Sequence, residues 1–422
     1  MSTYLPRWVD DWLRELLAEV PAIMITGPRA CGKTTTAARA VRSVVRLDVP
    51  ETAAAFRLAP DAALAAQLEP VLIDEWQEVP EVLAAVKRAV DADPRPGRFV
   101  LTGSVRAALS ASTWPATGRV VPLAMSGITV AEGHQVGQDL LSQLADPGRL
   151  AAATRVHAQP WTVSDYLDRA LAGMYPELQT GSARRRQIWM DAYVDQLVLR
   201  DAPAVGAIRA PQRLRALLRA AALNTAGTPA ETSLAQAAGL DVRTARTYLD
   251  LLEDLGVIHR LPAWHSNRFT RLTKGPKLHL VDPALAAPAA GVTPEVAFRS
   301  GDLIGRLVGT FVVSQLRPLI GEPTSGVVLS HLRERADGRE IDLIIERRDG
   351  TLIAIEVKAS AQPTQADARH LAWLRDHVGS DFAAGWVLHA GSVDMPLGDR
   401  LRAAPIATLW ADRSGHPAAP GR

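Results

Sequence analysis

The chain has 422 residues, enough for two to four domains that each bury a core. Hydrophobic residues make up 47% and charged residues 22%, with 47 basic against 45 acidic side chains and a net charge of +2. These values exclude a wholly disordered chain and argue against a protein that coats a polyanion. A single cysteine, Cys31, excludes an intrachain disulfide framework and a cysteine-cluster zinc site. No uninterrupted run of eighteen apolar residues occurs, and Asp10, Asp11, Arg14 and Glu15 stand where a signal peptide needs an apolar run. The expectation is a cytoplasmic protein with no membrane partner. Only five of the basic residues are lysines, at 33, 87, 274, 277 and 358. In so arginine-rich a chain, a lysine is a small signal that a compact, mobile ammonium is wanted.

In chain order, residues 7–19 carry apolar residues at helical spacing. Strand-like runs follow at Ala22–Thr26, Val44–Val49, Val71–Asp74 and Phe99–Thr102, separated by helical stretches, which predicts a mostly parallel α/β sheet. Residues 133–160 read as a linker or insertion. Helices are expected at Trp161–Ala172, Arg184–Leu199, Pro211–Leu223, Ser233–Ala238 and Val242–Leu255, then two short strands, Val257–Leu261 and Lys277–Val281. Residues 286–294, AAPAAGVTP, read as a small-residue linker. Beyond it come a helix at Leu303–Leu316, strands at Glu340–Glu346 and Thr351–Val357, a helix at Gln365–His377 and a strand at Ala384–His389. The predicted units are 1–140, 156–285 and 296–411, with a disordered tail at 412–422.

Gly27-Pro28-Arg29-Ala30-Cys31-Gly32-Lys33-Thr34 matches G-x-x-x-x-G-K-[ST] between a strand and a helix. Such a loop aims backbone N–H groups at a phosphate, and the helix N-terminus adds its positive end. Lys33 is expected at the β- and γ-phosphates of ATP, Thr34 at Mg²⁺, and Thr35 beside them. A thiol reagent on Cys31 is expected to block nucleotide entry. The strand VLID ends in Asp74-Glu75, suited to hold the metal ion and to polarise an attacking water. Ser104, after FVLTG, is either a γ-phosphate sensor or a turn serine. Arg119 is either a charge supplied to a neighbouring subunit's phosphate or a surface residue.

GPRACGKTTT, VLIDEWQEVP, RFVLTGS and the TGR element resemble the compact AAA-type ATPase domain of bacterial and archaeal ATP-binding proteins with a C-terminal domain of unknown function. YLDRALAGMYPEL resembles that family's segment following the ATPase domain, and YVDQLVLRD, LAQAAGLDVRTARTYLDLLEDLGVIHRL and KGPKLHLVDPAL are similar to its helical and winged-helix parts. EIDLIIE and IAIEVKAS resemble its nuclease-like end. The resemblance implies a parallel-sheet P-loop NTPase domain, a helical and winged-helix domain, and an α/β restriction-endonuclease-like domain. Departures are Gly309, where the family usually has a helical glutamate, and Gly127, where it commonly has a proline.

Asp241 is a good cap for the second helix of the helix–turn–helix segment. Arg243 and Arg246 on that helix, with Arg268 and Arg271 in the basic loop beyond, suit DNA phosphates, although such segments also serve as protein contacts and spacers. Asp342, Glu356 and Lys358 have the residue types of a PD-(D/E)xK nuclease core, in which acids bind Mg²⁺ and the lysine orients water. An exposed salt-bridged hairpin and a nuclease fold kept for binding after loss of cutting are the alternatives. With Gly309 supplying no ligand, weak or absent cutting is expected. The leading expectation is an Mg-dependent ATPase that drives its C-terminal modules. An ATP-gated nuclease and a non-hydrolysing ATP switch that binds DNA or a protein partner are the runners-up. A homo-oligomer is a further possibility.

Overall fold

The computed structural model describes residues 4–103, 118–136, 140–148, 161–206, 208, 210–272, 274–291, 301–322, 325–334 and 337–411. The expectations for Ser104 and for the tail at 412–422 lie outside these residues.

The N-terminal sheet comprises β1 (Ala22–Thr26), β2 (Ser43–Arg46), β3 (Val71–Asp74), β4 (Phe99–Thr102) and β5 (Val121–Ala124). Its order is β2-β3-β4-β1-β5 and every pairing is parallel. Strand alternation divides the core. Ile23, Ile25, Leu72 and Val100 face one apolar cluster, while Met24, Val71, Ile73 and Leu101 face another on the opposite side. Both faces of β1, β3 and β4 are covered, so these strands read as apolar runs, whereas β2 buries only Val45. β5 escaped the sequence reading because VPLA alternates in burial and contains Pro122, tolerable at a sheet edge.

The middle segment is helical: Val163–Ala172, Ala183–Gln196, Pro211–Leu223, Glu231–Ala237 and Val242–Asp254. Asp241 caps the last of these, accepting from the Thr244 N–H. An antiparallel hairpin follows, β6 (Ile258–Leu261) with β7 (Lys277–Leu280). The small-residue linker is a misreading in its first half. Ala286–Ala290 is a short helix with four buried alanines, packed on helices Pro211–Leu223 and Ala183–Gln196. Small side chains here permit close helix approach rather than mark a hinge.

The C-terminal sheet has six strands: β8 (Val328–Glu334), β9 (Arg339–Glu346), β10 (Leu352–Lys358), β11 (Phe382–His389), β12 (Met395–Gly398) and β13 (Leu401–Pro405). They run in the order β12-β13-β11-β10-β9-β8 and mix parallel with antiparallel pairings. The helix beginning at Gly301 is strongly apolar, with ten buried residues. By length and composition Gly301–Gly321 is long enough to cross a membrane, but 67% of its most apolar 18-residue stretch is buried against the rest of the protein, as befits a core helix.

One apolar cluster runs through all three segments, from Trp8 and Ile25 through Leu217 to Trp386 and Trp410. Polar contacts stitch the same seams. The Trp386 indole N–H donates to the Leu144 carbonyl at 2.8 Å, and the Ala407 N–H donates to the Tyr166 hydroxyl at 2.9 Å. The nucleotide-type loop and the distant C-terminal sheet are therefore parts of one packed body.

Candidate functional site

The C-terminal ends of β1, β3 and β4 lie side by side, with Asp74 in register with Thr102. Parallel sheets place ligands at this edge. The loop after β1 turns back tightly. A Cβ on Gly27 would lie 2.1 Å from the Met125 carbonyl oxygen, so only glycine fits there. Gly32 adopts φ +102° immediately before helix Lys33–Ala38, a left-handed conformation that favours glycine. Cys31 is fully buried, which corrects the thiol expectation: in the folded chain its sulfur is closed to a reagent.

The Lys33 ammonium donates to the carbonyls of Gly27 at 3.0 Å and Pro28 at 2.7 Å, within the curl of the loop. The Thr34 hydroxyl donates to Asp74 Oδ1 at 2.8 Å, and the Thr102 hydroxyl donates to the same oxygen at 2.6 Å. Glu75 is one of five described non-glycine residues at positive φ, here +53°. A left-handed glutamate costs on the order of 1–3 kcal/mol, and such strain concentrates at working sites. Its carboxylate accepts from the Gln77 amide. Lys33, Thr34, Asp74 and Glu75 thus converge on one cleft of about 530 Å³, a size suited to a small organic ligand.

Half of that cleft comes from outside the N-terminal sheet. Trp189, Ala192, Tyr193 and Gln196 project from one face of helix Ala183–Gln196, and Arg200 and Asp201 continue it in a π-helical stretch, Leu197–Asp201. Trp189 and Tyr193 stack with centroids 5.1 Å apart at 15°. Asp201 lies 3.2 Å from the Arg29 guanidinium of the phosphate loop. Arg200 is exposed and lines the cleft. Sequence reasoning missed this wall. The spacing 189, 193, 196, 200 does put these side chains on one helix face, but nothing local says that this face meets the loop.

Arg119 does not line the cleft. Its guanidinium donates to Asp91 at 2.8 Å. Of the four arginines expected at DNA, Arg246 pairs with Glu231 at 2.7 Å, and Arg271 donates to the His265 carbonyl and pairs with Glu346. Arg243 is exposed, and the Arg268 side chain lies outside the description.

Asp342, Glu356 and Lys358 are brought together by β9 and β10. Lys358 donates to Glu356 Oε1 at 2.8 Å, and Asp342 Oδ2 accepts the Val357 N–H at 2.9 Å. Lys277 of β7 joins them unannounced, donating to Asp342 Oδ1 at 2.6 Å and to Glu340 at 3.3 Å. Burial raises the Asp342 pKa, but the Lys277 charge and hydrogen bond outweigh it and hold it below the usual range. Burial, then the Asp342 charge, push Glu356 up to about 8. Gly309 faces Ala226, whose Cβ would be 3.4 Å from an added Cβ.

The raised Glu356 pKa carries a stability consequence. Between about pH 4.5 and 8 the folded chain holds a proton that the unfolded chain has released, so stability falls as pH rises through this window. Glu356→Gln removes the titration. Its melting temperature relative to the parent is expected to rise between pH 5 and pH 8, as read by calorimetry. A constant difference would show that Glu356 is not protonated in the fold.

Comparison with known proteins places this geometry in a class. Residues 19–133 match the family described as AAA domain. Residues 163–296 match the domain of unknown function DUF8612, and residues 304–409 match the domain of unknown function DUF4143. Uncharacterized proteins of Mycobacterium bovis and Mycobacterium tuberculosis are each 27% identical over 401 residues, covering 93% of this chain and 82% of theirs. A solved structure of a Walker-type ATPase of Pyrococcus abyssi aligns with 68% of this chain and 96% of its own at 14% identity. Its TM-score is 0.41. The AAA match covers the phosphate loop and the strand ending in Asp74, so the N-terminal part is similar to an AAA domain. The other two matches name neither a fold nor an activity.

Proposed function

We propose that the chain binds ATP with Mg²⁺ at residues 27–34 and hydrolyses it. The observation that carries this is the convergence of Lys33, Thr34, Asp74 and Glu75 on one cleft. The donor set suits the group. Thr34 and Asp74 already share a hydrogen bond at 2.8 Å, so their oxygens lie within reach of one hard cation. When bound, Mg²⁺ neutralises charge developing on the phosphates. Lys33 would leave the loop carbonyls for phosphate oxygens, the loop N–H groups from Gly27 to Thr35 would hold the phosphate chain, and Glu75 would orient and deprotonate water.

The wall at 189–201 supports a nucleotide-gated reading, in which the middle segment follows the state of the cleft. Arg200→Ala is expected to slow turnover with little change in ATP affinity. Equal rates for parent and variant in a phosphate-release assay would remove Arg200 from the chemistry. The trans role of Arg119 belongs to the same reading: if it completes a neighbour's site, specific activity rises with protein concentration and Arg119→Ala abolishes the rise. Ser104 as a phosphate sensor stays part of the proposal.

The segment from Glu231 to Leu280 has the order of a winged helix, and its exposed Arg243 supports contact with DNA. The ion pairs on Arg246 and Arg271 favour a structural role. The strand and acid pattern at 339–358 supports a nuclease-like ancestry for the C-terminal sheet. ATP turnover measured with and without DNA tests the coupling: stimulation supports a nucleic-acid role, and an unchanged rate supports a protein partner.

A further inference from the structure

The carboxylates at the C-terminal sheet have the residue types of a metal site, but the residues around them do not fit a metal ion. Mg²⁺ is held through one or two free carboxylates and several waters in near-octahedral geometry. Both oxygens of Asp342 are already used, Oδ1 by the Lys277 ammonium at 2.6 Å and Oδ2 by the Val357 N–H at 2.9 Å. Glu356 Oε1 accepts from Lys358 at 2.8 Å, which leaves Oε2 as the one carboxylate oxygen of the pair without a hydrogen-bond partner among the described residues. The cations are already placed: Lys277 pairs with Glu340 and Asp342, and Lys358 lies 2.8 Å from Glu356 and 3.9 Å from Asp367.

We infer that Lys277 is a tethered cation that takes the place of a divalent ion between the acids, so that the cluster is an ion-pair lock joining the β6–β7 hairpin to the C-terminal sheet. Three observations carry this. The Lys277 side chain is only 2% exposed, so its charge is committed to these partners. It reaches across 65 residues of chain, from one matched family segment into another. It arrives on β7, whose register against β6 places Lys277 opposite Leu261 at the hairpin's outer end, the end that abuts β8 through the Ala263–His331 bridge. The ring nitrogens nearby add no competing cation. Burial, then the Lys277 charge, lower the pKa of both His279 and His331, the latter to about 4. The lock is independent of the ATPase reading, since none of its residues lines the nucleotide cleft.

The test is Mn²⁺ binding to the nucleotide-free full-length chain, followed by electron paramagnetic resonance of free Mn²⁺. Parent, Asp342→Asn, Lys277→Met and the Lys277→Met/Asp342→Asn double variant are compared. Parent and Asp342→Asn are expected to give the same titration, because no Mn²⁺ reaches Asp342. Lys277→Met is expected to gain one equivalent bound at least tenfold more tightly than by the parent, and the double variant to lose it. Two results would overturn the inference: parent binding that Asp342→Asn abolishes, or a folded Lys277→Met chain that gains no site. If Lys277→Met does not fold, the comparison of parent with Asp342→Asn still decides.

Discussion

Glu75→Gln is expected to retain ATP binding and lose turnover by about 10²–10⁴-fold, the usual contribution of a general base. The amide keeps the size of the side chain and its reach to Gln77, while Asp74, Thr34 and Lys33 remain in place. Binding measured with a fluorescent ATP analogue should therefore match the parent, while phosphate release should fall to background. An equal loss of binding and turnover would mean that Glu75 shapes the cleft rather than activates water. Its left-handed φ of +53° gives a second reason to keep the change conservative, since a substitution that relaxes this turn would also shift Asp74 beside it.

Lys277→Met is expected to lower global stability by roughly 3 kcal/mol, toward the lower end of the cost of breaking a buried ion pair from one side. The lysine is 2% exposed, but Asp342 keeps 25% of its side chain accessible, so water offsets part of the penalty. Asp342→Asn added to Lys277→Met should restore part of the loss, because no uncompensated carboxylate then remains. Denaturant unfolding checks both. A Lys277→Met chain as stable as the parent would show that the pair holds nothing together.

β1, β3 and β4 were legible because each is an apolar run buried on both faces. The phosphate loop is contiguous in sequence, so its chemistry could be read without knowing the fold. Asp74 and Glu75 were legible because the register of a parallel sheet brings strand ends together. The wall of Trp189, Tyr193 and Arg200 was not legible, since it depends on how a helix 160 residues downstream packs on the loop, as the Tyr193–Arg29 contact shows. Lys277 was hidden for the same reason. Sequence placed it at the start of a short strand with no partner in view, whereas long-range packing buries it on Asp342. The alanines at 286–290 mimicked a linker because small residues serve loops and tight helix packing equally well.

Phosphate release from the purified 422-residue chain supplied with ATP and Mg²⁺, beside Lys33→Ala, is the direct test of hydrolysis at this cleft. The parent is expected to turn over ATP only with Mg²⁺, and the variant neither to bind ATP nor to turn it over. Turnover that survives Lys33→Ala, or a folded parent chain that does not bind ATP, would contradict it.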